Sequence, residues 1–471
     1  MQKNRLGVRI ICQLVLLVGM ALCGWQAALA GSAGHQYRNV RYEDNYAALA
    51  DPAVKARCLW NALKQIPLGH GLRVSFGGHY RFRFESDANR KFGQNGERTR
   101  SIFLNRTFLF ADLGFRQAFR IFAEARMVGL ANRVSPAPPN SRDEPDFENL
   151  FAETRFRVKH ARLFFRLGRQ ELQFGRQRLI SPLDWANTRR TFEGFRFQAR
   201  WPRLSFDAFR VHPVANLPHR FNRSVASRVF TGLYVQSRIG IAMASAYYLG
   251  LQEKAERVTS ETGVAGGYFY HTLGLAMDGK SRNLDFSFET AIQWGNYSTD
   301  RIRTYMVSLQ LGHTFSKLSA KPRVGVILDV ASGDKDPADS ENNTFHQLFP
   351  LGHAYFGWAD QVGRRNIRAA GLTFGMQPLP RLALKLFAYQ FALDQPRDAL
   401  YNAGGVRGPI DASGAAGRQA GREWDAELKY TWSAHVRIQM GFAYFLPGRF
   451  LKNTGAHKRH RLFYLMNSFY F

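Results

Sequence analysis

From Leu72 to Phe84 apolar and polar side chains change places at nearly every step. Leu72, Val74, Phe76, Tyr80, Phe82 and Phe84 fall on one side of an extended strand, and Arg73, Ser75, His79, Arg81 and Arg83 on the other. The same period of two returns further on. Phe119, Ile121, Ala123, Ala125 and Met127 oppose Arg120, Glu124 and Arg126, and Ala152, Thr154, Phe156 and Val158 oppose Glu153, Arg155, Arg157 and Lys159. Near the end Trp424, Ala426, Leu428, Tyr430 and Trp432 oppose Asp425, Glu427, Lys429 and Thr431, and Val436, Ile438, Met440, Phe442 and Tyr444 oppose Arg437 and Gln439. About 18 such segments follow one another from residue 72 to 471. Each has the roughly 9 to 11 residues, or slightly more, that a tilted strand needs to cross a bilayer.

A single alternating strand fits a soluble sandwich equally well. The connections separate the two. Long stretches such as "SDANRKFGQNGERTR" and "ANRVSPAPPNSRDEPDFEN" take turns with short ones such as "DLGFRQ", "HA", "WPR", "QPLPR" and "SAH", and the longest run over 174–191, 212–227, 332–365 and 394–422. Outer-membrane barrels have short periplasmic turns and long external loops, whereas a sandwich has no reason to alternate them. The pattern predicts an all-β fold, a transmembrane antiparallel β-barrel of about 18 strands. The closing "RLFYLMNSFYF" reads as its last strand, which must pair with the first because lipid tolerates no open sheet edge.

The first thirty residues change the picture by locating the chain. A basic start, an apolar run near residues 10–24 and Ala28-Leu29-Ala30 before Gly31 make a secretory signal peptide, cleaved near Ala30. A lipoprotein anchored at Cys23 is opposed by the bulk of Leu22, and a membrane anchor by the shortness of the apolar run. With Cys12 and Cys23 in the signal, only Cys58 remains and an internal disulfide is excluded. The expected organisation is signal peptide 1–30, a non-alternating periplasmic or lumenal lead-in 31–68, and an outer-membrane barrel 69–471.

Charge then indicates what passes through. The sequence holds 65 Lys plus Arg against 36 Asp plus Glu, a formal net charge of +29, and only 14 of the cations are lysine. Arginine binds carboxylate or phosphate through a fixed fork of donors. A charge on the lipid face near the midplane costs roughly 2–4 kcal/mol, so the arginines are expected to face a water-filled, cationic, anion-selective lumen. Expected path or constriction residues are Arg73, Arg81, Arg83, Arg155, Arg157, Arg169, Arg176, Arg178, Arg189, Arg190 and Arg437. Five of them flank "RLGRQELQFGRQRLISPLDWANTRRTFEGFRF", an external loop whose Pro182 and Trp185 suit an inward fold. Asp334, Asp336 and Asp339 form a weak calcium candidate lacking the glycine and terminal glutamate of a calcium loop. No HExxH, GxSxG or GxxxxGK[ST] motif occurs, so neither an enzyme nor a cofactor is signalled.

Three stretches carry a resemblance: "GRQELQFGRQRLISPLDWANTRRTFEGFR", "DVASGDKDPADSENNTFHQLFPLGHAYFGWADQVGRRNI" and "GREWDAELKYTWSAHVRIQMGFAYFLPGRFLKNTG". They resemble the alginate export porin family, as does the lead-in "RYEDNYAALADPAVKARCLWNALKQIPLG". The resemblance implies an 18-stranded outer-membrane barrel with an arginine-rich constriction that passes a polyuronate outward. Through "FGRQRL", Phe174 to Leu179, it carries Arg176 and Arg178 over as constriction residues. The long periplasmic plug loop of the well-known exporters is reduced here to "SAH", which leaves the lead-in as the candidate plug.

The principal expectation is passive export of an anionic, alginate-like exopolysaccharide. The alternative is uptake of small organic acids or acidic oligosaccharides, since one lumen serves both directions. Expected partners are these anions, outer-membrane lipid and lipopolysaccharide, and periplasmic synthesis or export proteins. A secreted nucleic-acid-binding or adhesive protein would need its cations outside, against the alternation, so no nucleic acid is expected.

Overall fold

The computed structural model describes residues 37–471 apart from 52, 54–57, 97, 98, 132–139 and 456. The expected signal peptide, with Cys12 and Cys23, lies outside the described residues.

Eighteen long strands form one antiparallel sheet. The first six are β1 (Leu72–Ala88), β2 (Arg100–Phe115), β3 (Phe119–Ala131), β4 (Asp143–Val158), β5 (Ala161–Gln170) and β6 (Phe192–Arg200). Then come β7 (Leu204–Ala215), β8 (Arg228–Ile239), β9 (Ala242–Thr259), β10 (Ala265–Ser281), β11 (Leu284–Tyr297) and β12 (Asp300–Thr314). The wall is completed by β13 (Arg323–Ala331), β14 (Ile367–Leu379), β15 (Leu382–Ala392), β16 (Gln419–Thr431), β17 (Val436–Pro447) and β18 (His460–Tyr470). Each pairs with its chain neighbours, and β18 returns to β1 with Tyr470 opposite His79 and Arg461 opposite Ala88, so no edge stays open. At the seam Gly78 and Phe471 exchange backbone bonds of 2.9 and 3.0 Å. A Cβ at Gly78 would come within 2.5 Å of the Phe108 carbonyl, so only glycine fits there.

The lipid face is recognisable by large apolar side chains that no protein covers: Leu167, Leu275, Ile292, Leu328 and Leu372 are each more than half exposed. The described residues include no helix long and apolar enough to cross a membrane, so the strands alone do so. The expected faces hold on β1, where Phe76 and Phe82 point out while His79, Arg81 and Arg83 are buried. On β2 the inward face is instead largely apolar, with Ile102, Leu104, Phe108 and Phe110 buried beside Arg106. That part of the lumen is packed rather than wet.

What fills it is partly the lead-in. It has three short 3-10 turns: Arg41–Glu43 and Ala47–Ala50 pack on the inward face, while Leu59–Leu63 has no buried residue and sets Trp60 against Phe469 and Phe471. Val40, Tyr42, Tyr46 and Leu49 form one apolar cluster with the inward Phe110, Phe122 and Phe151. Arg41 donates to the carbonyls of Gly78 (2.8 Å) and Phe471 (3.3 Å), fastening the segment to the closing seam.

Long and short connections alternate on most of the ring, but not everywhere. The external β11–β12 turn has only residues 298 and 299, while the periplasmic β12–β13 connection runs over 315–322. The long loop 332–366 supplies the missing cover, because Glu341 and Asn342 pair in parallel with Arg301 and Ile302 at the external end of β12.

Candidate transport path through the barrel

Two external loops descend into the lumen and meet there. Residues 171–191, between β5 and β6, pair backbone to backbone with 332–366: Ser181 N donates to Phe349 O (2.8 Å), Phe349 N to Leu179 O (2.9 Å) and Leu351 N to Gln177 O (3.0 Å). Trp185 stacks on His353 with ring centroids 3.6 Å apart, and Asp360 binds both, accepting from Trp185 Nε1 at 3.0 Å and pairing with His353 Nδ1 at 3.1 Å. The expected inward fold around Trp185 is therefore present, joined to a second loop, "GHAYFGWADQ", for which no inward fold is expected from the sequence.

Arginines hold this septum to the wall. Arg81 donates to the carbonyls of Asp184 (2.6 Å) and Ala186 (2.8 Å), and Arg83 to that of Trp185 (2.6 Å) while lying 4.0 Å over the Trp185 ring. Arg106 binds the Asp184 carboxylate at 2.8 Å, and Arg189 binds it at 3.0 Å. The position raises the Asp184 carboxyl through desolvation, but Arg106, Arg189 and Arg81 pull it well below the usual range. Arg106 was absent from the sequence expectation, since its apolar neighbours on β2 conceal which way it points.

The expected path arginines fall in four places. Those of the middle lumen are spent on structure: besides Arg81 and Arg83, Arg178 binds Glu289 (3.2 Å), Arg189 binds Glu171 (2.5 Å), and Arg190 donates to Ser181 O (3.1 Å) and lies over Phe349. Arg176 is half exposed and reaches Asp278 on β10 at 2.8 Å. Arg169 departs from expectation. It shares the outer face of β5 with the exposed Phe165 and Leu167 and ties Asp146 (3.3 Å) to the Asn222 carbonyl (2.8 Å), a brace between external segments outside the lumen.

Basic residues line the lumen as expected, but inward carboxylates pair with many of the central arginines. Asp329 binds Arg364 (2.7 Å), and Glu153 binds Arg155 (2.6 Å) and Arg166 (2.5 Å). On β16 the buried Glu423 and Asp425 have no cation partner among the described residues; they accept instead from Ala359 N (2.8 Å) and Trp358 N (3.3 Å) of the inward loop. Gly357, at φ +81°, makes room for this, since the Glu423 carboxyl occupies the place of its missing Cβ.

Uncompensated positive charge collects at the periplasmic end. A cavity of about 1240 Å³ opens there between the lead-in and strands β1–β6, with nine arginines on its walls against four carboxylates. Arg73, Arg116, Arg157, Arg162 and Arg200 line it, and none has an ion-pair partner among the described residues. Arg157 stands directly opposite Arg162, and Arg162 opposite Arg200, in a row across β4, β5 and β6. Like charges in that relation repel by roughly 0.2–1 kcal/mol per pair, and an anion bridging them removes the cost. Arg155 and Arg200 are steered by Phe164, lying 5.8 and 5.0 Å over its ring. Arg437 sits at the periplasmic end of β17 over Tyr470, also without a carboxylate.

The calcium candidate is rearranged. Glu261, Asp334 and Asp339 bring carboxylate oxygens within 4.8 Å of one another, and Asp336 is not among them because its backbone closes the turn to Asp334 and Asp339. Burial, then Glu261 and Asp398, push the Asp334 carboxyl up to about 8.

The profile of a family described as alginate export matches residues 72–465. No curated protein sequence matches the chain. Among solved structures the barrel is similar to Pseudomonas aeruginosa OccK8 (OprE), at 15% identity and TM-score 0.56, covering 84% of this chain and 98% of that one. It is similar to Pseudomonas aeruginosa OccK2 (OpdF), solved in complex with glucuronate, at 13% identity and TM-score 0.54 over 84% and 97% of the two chains. A BenF-like porin from Pseudomonas fluorescens Pf-5 gives 10% identity and TM-score 0.56 over 84% and 98%. These likenesses are of fold, that of an 18-strand outer-membrane porin.

Proposed function

The chain belongs to the alginate export family, and on that premise we propose that it is an outer-membrane diffusion channel for small organic acids of about the size of a uronate sugar. The observation that carries this reading is the row Arg157, Arg162 and Arg200 in the periplasmic cavity, where cations lack carboxylate partners and anions have room. Many weak guanidinium contacts let a carboxylate move from one to the next, whereas one strong site would trap it. The septum favours a small solute: Trp185 packed on His353 and anchored by three wall arginines leaves the middle lumen narrow. Glucuronate in the complex of OccK2 is a solute of this class, bound by a barrel of the same fold.

Export of an acidic polymer is the second reading, favoured by the family's description. It requires the septum to part, because a polyuronate must thread both loops at once.

Planar-bilayer recording of the refolded protein tests both. Anion preference, with conductance reduced by glucuronate and unaffected by glucose, is expected. In R157E/R162E/R200E the reversal potential under a salt gradient should move toward cation preference. Block by polymannuronate alone would transfer the assignment to the exporter, and cation preference in the unaltered barrel would overturn both readings.

A further inference from the structure

On the outside of the barrel, away from the transport path, a groove of about 470 Å³ opens at the external end of β16 and β17. Its floor is Leu446 and Pro447, and its upper rim carries Arg422, Arg449 and Lys452. All three cations are exposed, and none has a carboxylate partner among the described residues; the Arg422 Nε donates only to Gln390 Oε1 at 2.7 Å. Arg449 and Lys452 belong to the short helix α1 (Arg449–Asn453). Spaced three apart, they share one face of it, while Phe450 and Leu451 are buried on the other. From Leu428 to Phe471 the chain has seven lysines and arginines and no Asp or Glu, so nothing local neutralises the patch.

The height of this groove in the membrane follows from its neighbours. Trp424, two residues below Arg422 on the same face, is 42% exposed and stands opposite Tyr444, the rings 6.1 Å apart. Phe442 and Met440 continue that face, equally uncovered, toward the middle of the bilayer. Paired Trp and Tyr above exposed Phe and Met mark an aromatic girdle at the lipid boundary. Arg422 is two residues further out, roughly 7 Å at strand rise, and faces Leu446 in register. The three cations therefore stand at the level of outer-leaflet headgroups, with Leu446 level with Arg422 and the exposed Trp424, Phe442 and Met440 below for acyl chains.

We infer that this groove is a binding site for a phosphorylated glycolipid of the outer leaflet, of the bisphosphorylated lipid A type. Arg422 and Arg449 offer forked donors to phosphate oxygens, Lys452 adds a point charge, and Leu446 and the exposed Trp424 beneath it pack on the first acyl methylenes. An anion on its way through the channel does not meet these side chains, because they are on the lipid side of the wall.

Native mass spectrometry of the full-length barrel with bisphosphorylated lipid A measures the site. The unaltered protein should retain one lipid A, monophosphorylated lipid A should bind less, and R422Q/R449Q/K452Q should bind on the order of tenfold or more weakly. The variant's ion selectivity in planar bilayers should be unchanged, which separates this site from the lumenal arginines. Equal retention by the variant would overturn the inference, as would stoichiometric displacement by inorganic pyrophosphate, which would make the groove a soluble-anion site. Folding is read from heat-modifiable migration. Should the triple variant not fold, R449Q on the exposed helix takes its place, with loss of lipid A expected and full retention overturning the inference.

Discussion

Trp185 and His353 come from loops far apart in the chain and stack almost parallel, 8° between planes, at 3.6 Å. Tyr464 closes the cluster edge-on to Trp185, with ring centroids 5.0 Å apart, so the contact joins two loops and the wall. An aromatic pair contributes about 1 kcal/mol beyond the area it buries. Trp185→Ala removes this pair together with the bond to Asp360. Single-channel conductance is expected to rise while the barrel stays folded. Conductance identical to that of the unaltered protein would show that the septum does not limit flow.

Arg106 and Asp184 make the second fastening. Arg106 has no exposed surface, but 40% of the Asp184 side chain is open to the lumen. Breaking a fully enclosed pair costs roughly 3–5 kcal/mol, and this half-open one is expected to cost about 2 kcal/mol. Arg106→Gln should loosen residues 184–186, seen as faster amide exchange there, with exchange across β9 to β13 unaltered. Uniform loss of protection around the ring would mean that Arg106 supports the barrel and not the loop.

The lead-in is proposed to close part of the periplasmic mouth. Tyr42→Ala empties the cluster with Phe122 and Phe151 and should weaken docking by about 3 kcal/mol, a factor of more than one hundred. Conductance should then rise, and a protease should cut between residues 37 and 64. Protection from proteolysis as complete as in the parent would reject this role.

Lys64 makes the same docking sensitive to pH. Burial, then Arg41, push its amine down to about 7. Unfolded lysine keeps its proton to about 10.4, so between pH 7 and 10 the undocked state binds more protons and docking tightens as pH rises. Proteolysis at 37–64 should slow across that window, and Lys64→Met should abolish the slope. A slope retained in that variant would assign it to another group.

Asp334 gives the opposite sign at the external side. Its carboxyl holds a proton up to about pH 8 in the folded loop, whereas an unfolded aspartate releases it near 4. The folded state binds more protons between these values, so stability falls as pH rises from 4 to 8. Asp334→Asn lacks that loss and should melt about 2 °C above the parent at pH 8. At pH 4, where both carry no charge, the two should coincide; an equal gap at both pH values would exclude the titration.

The alternation of side chains, together with that of long and short connections, determined the barrel without help from tertiary structure. A strand repeats every two residues, lipid excludes charge, and unpaired backbone is too costly in hydrocarbon, so most faces, a strand number of about 18 and the closure of β18 onto β1 follow from local pattern, β2 with its apolar inward face being the exception. The unpartnered cations at the periplasmic mouth were legible for the same reason: Arg73 and Arg157 lie on clean alternating strands and line the periplasmic cavity. The fate of the central arginines was not. Arg81, Arg83 and Arg178 look the same in the sequence as Arg157, but they meet Asp184, Trp185 and Glu289, which arrive from loops or strands 102 to 111 residues away. Whether an inward arginine meets solute, a carboxylate or a loop carbonyl depends on how the loops descend, and loops have no period. Tertiary structure alone also decided that Arg169 ties Asp146 to the Asn222 carbonyl and that the lead-in packs on the inward Phe110, Phe122 and Phe151, because neighbours in space, and not neighbours in sequence, set what a side chain can bind.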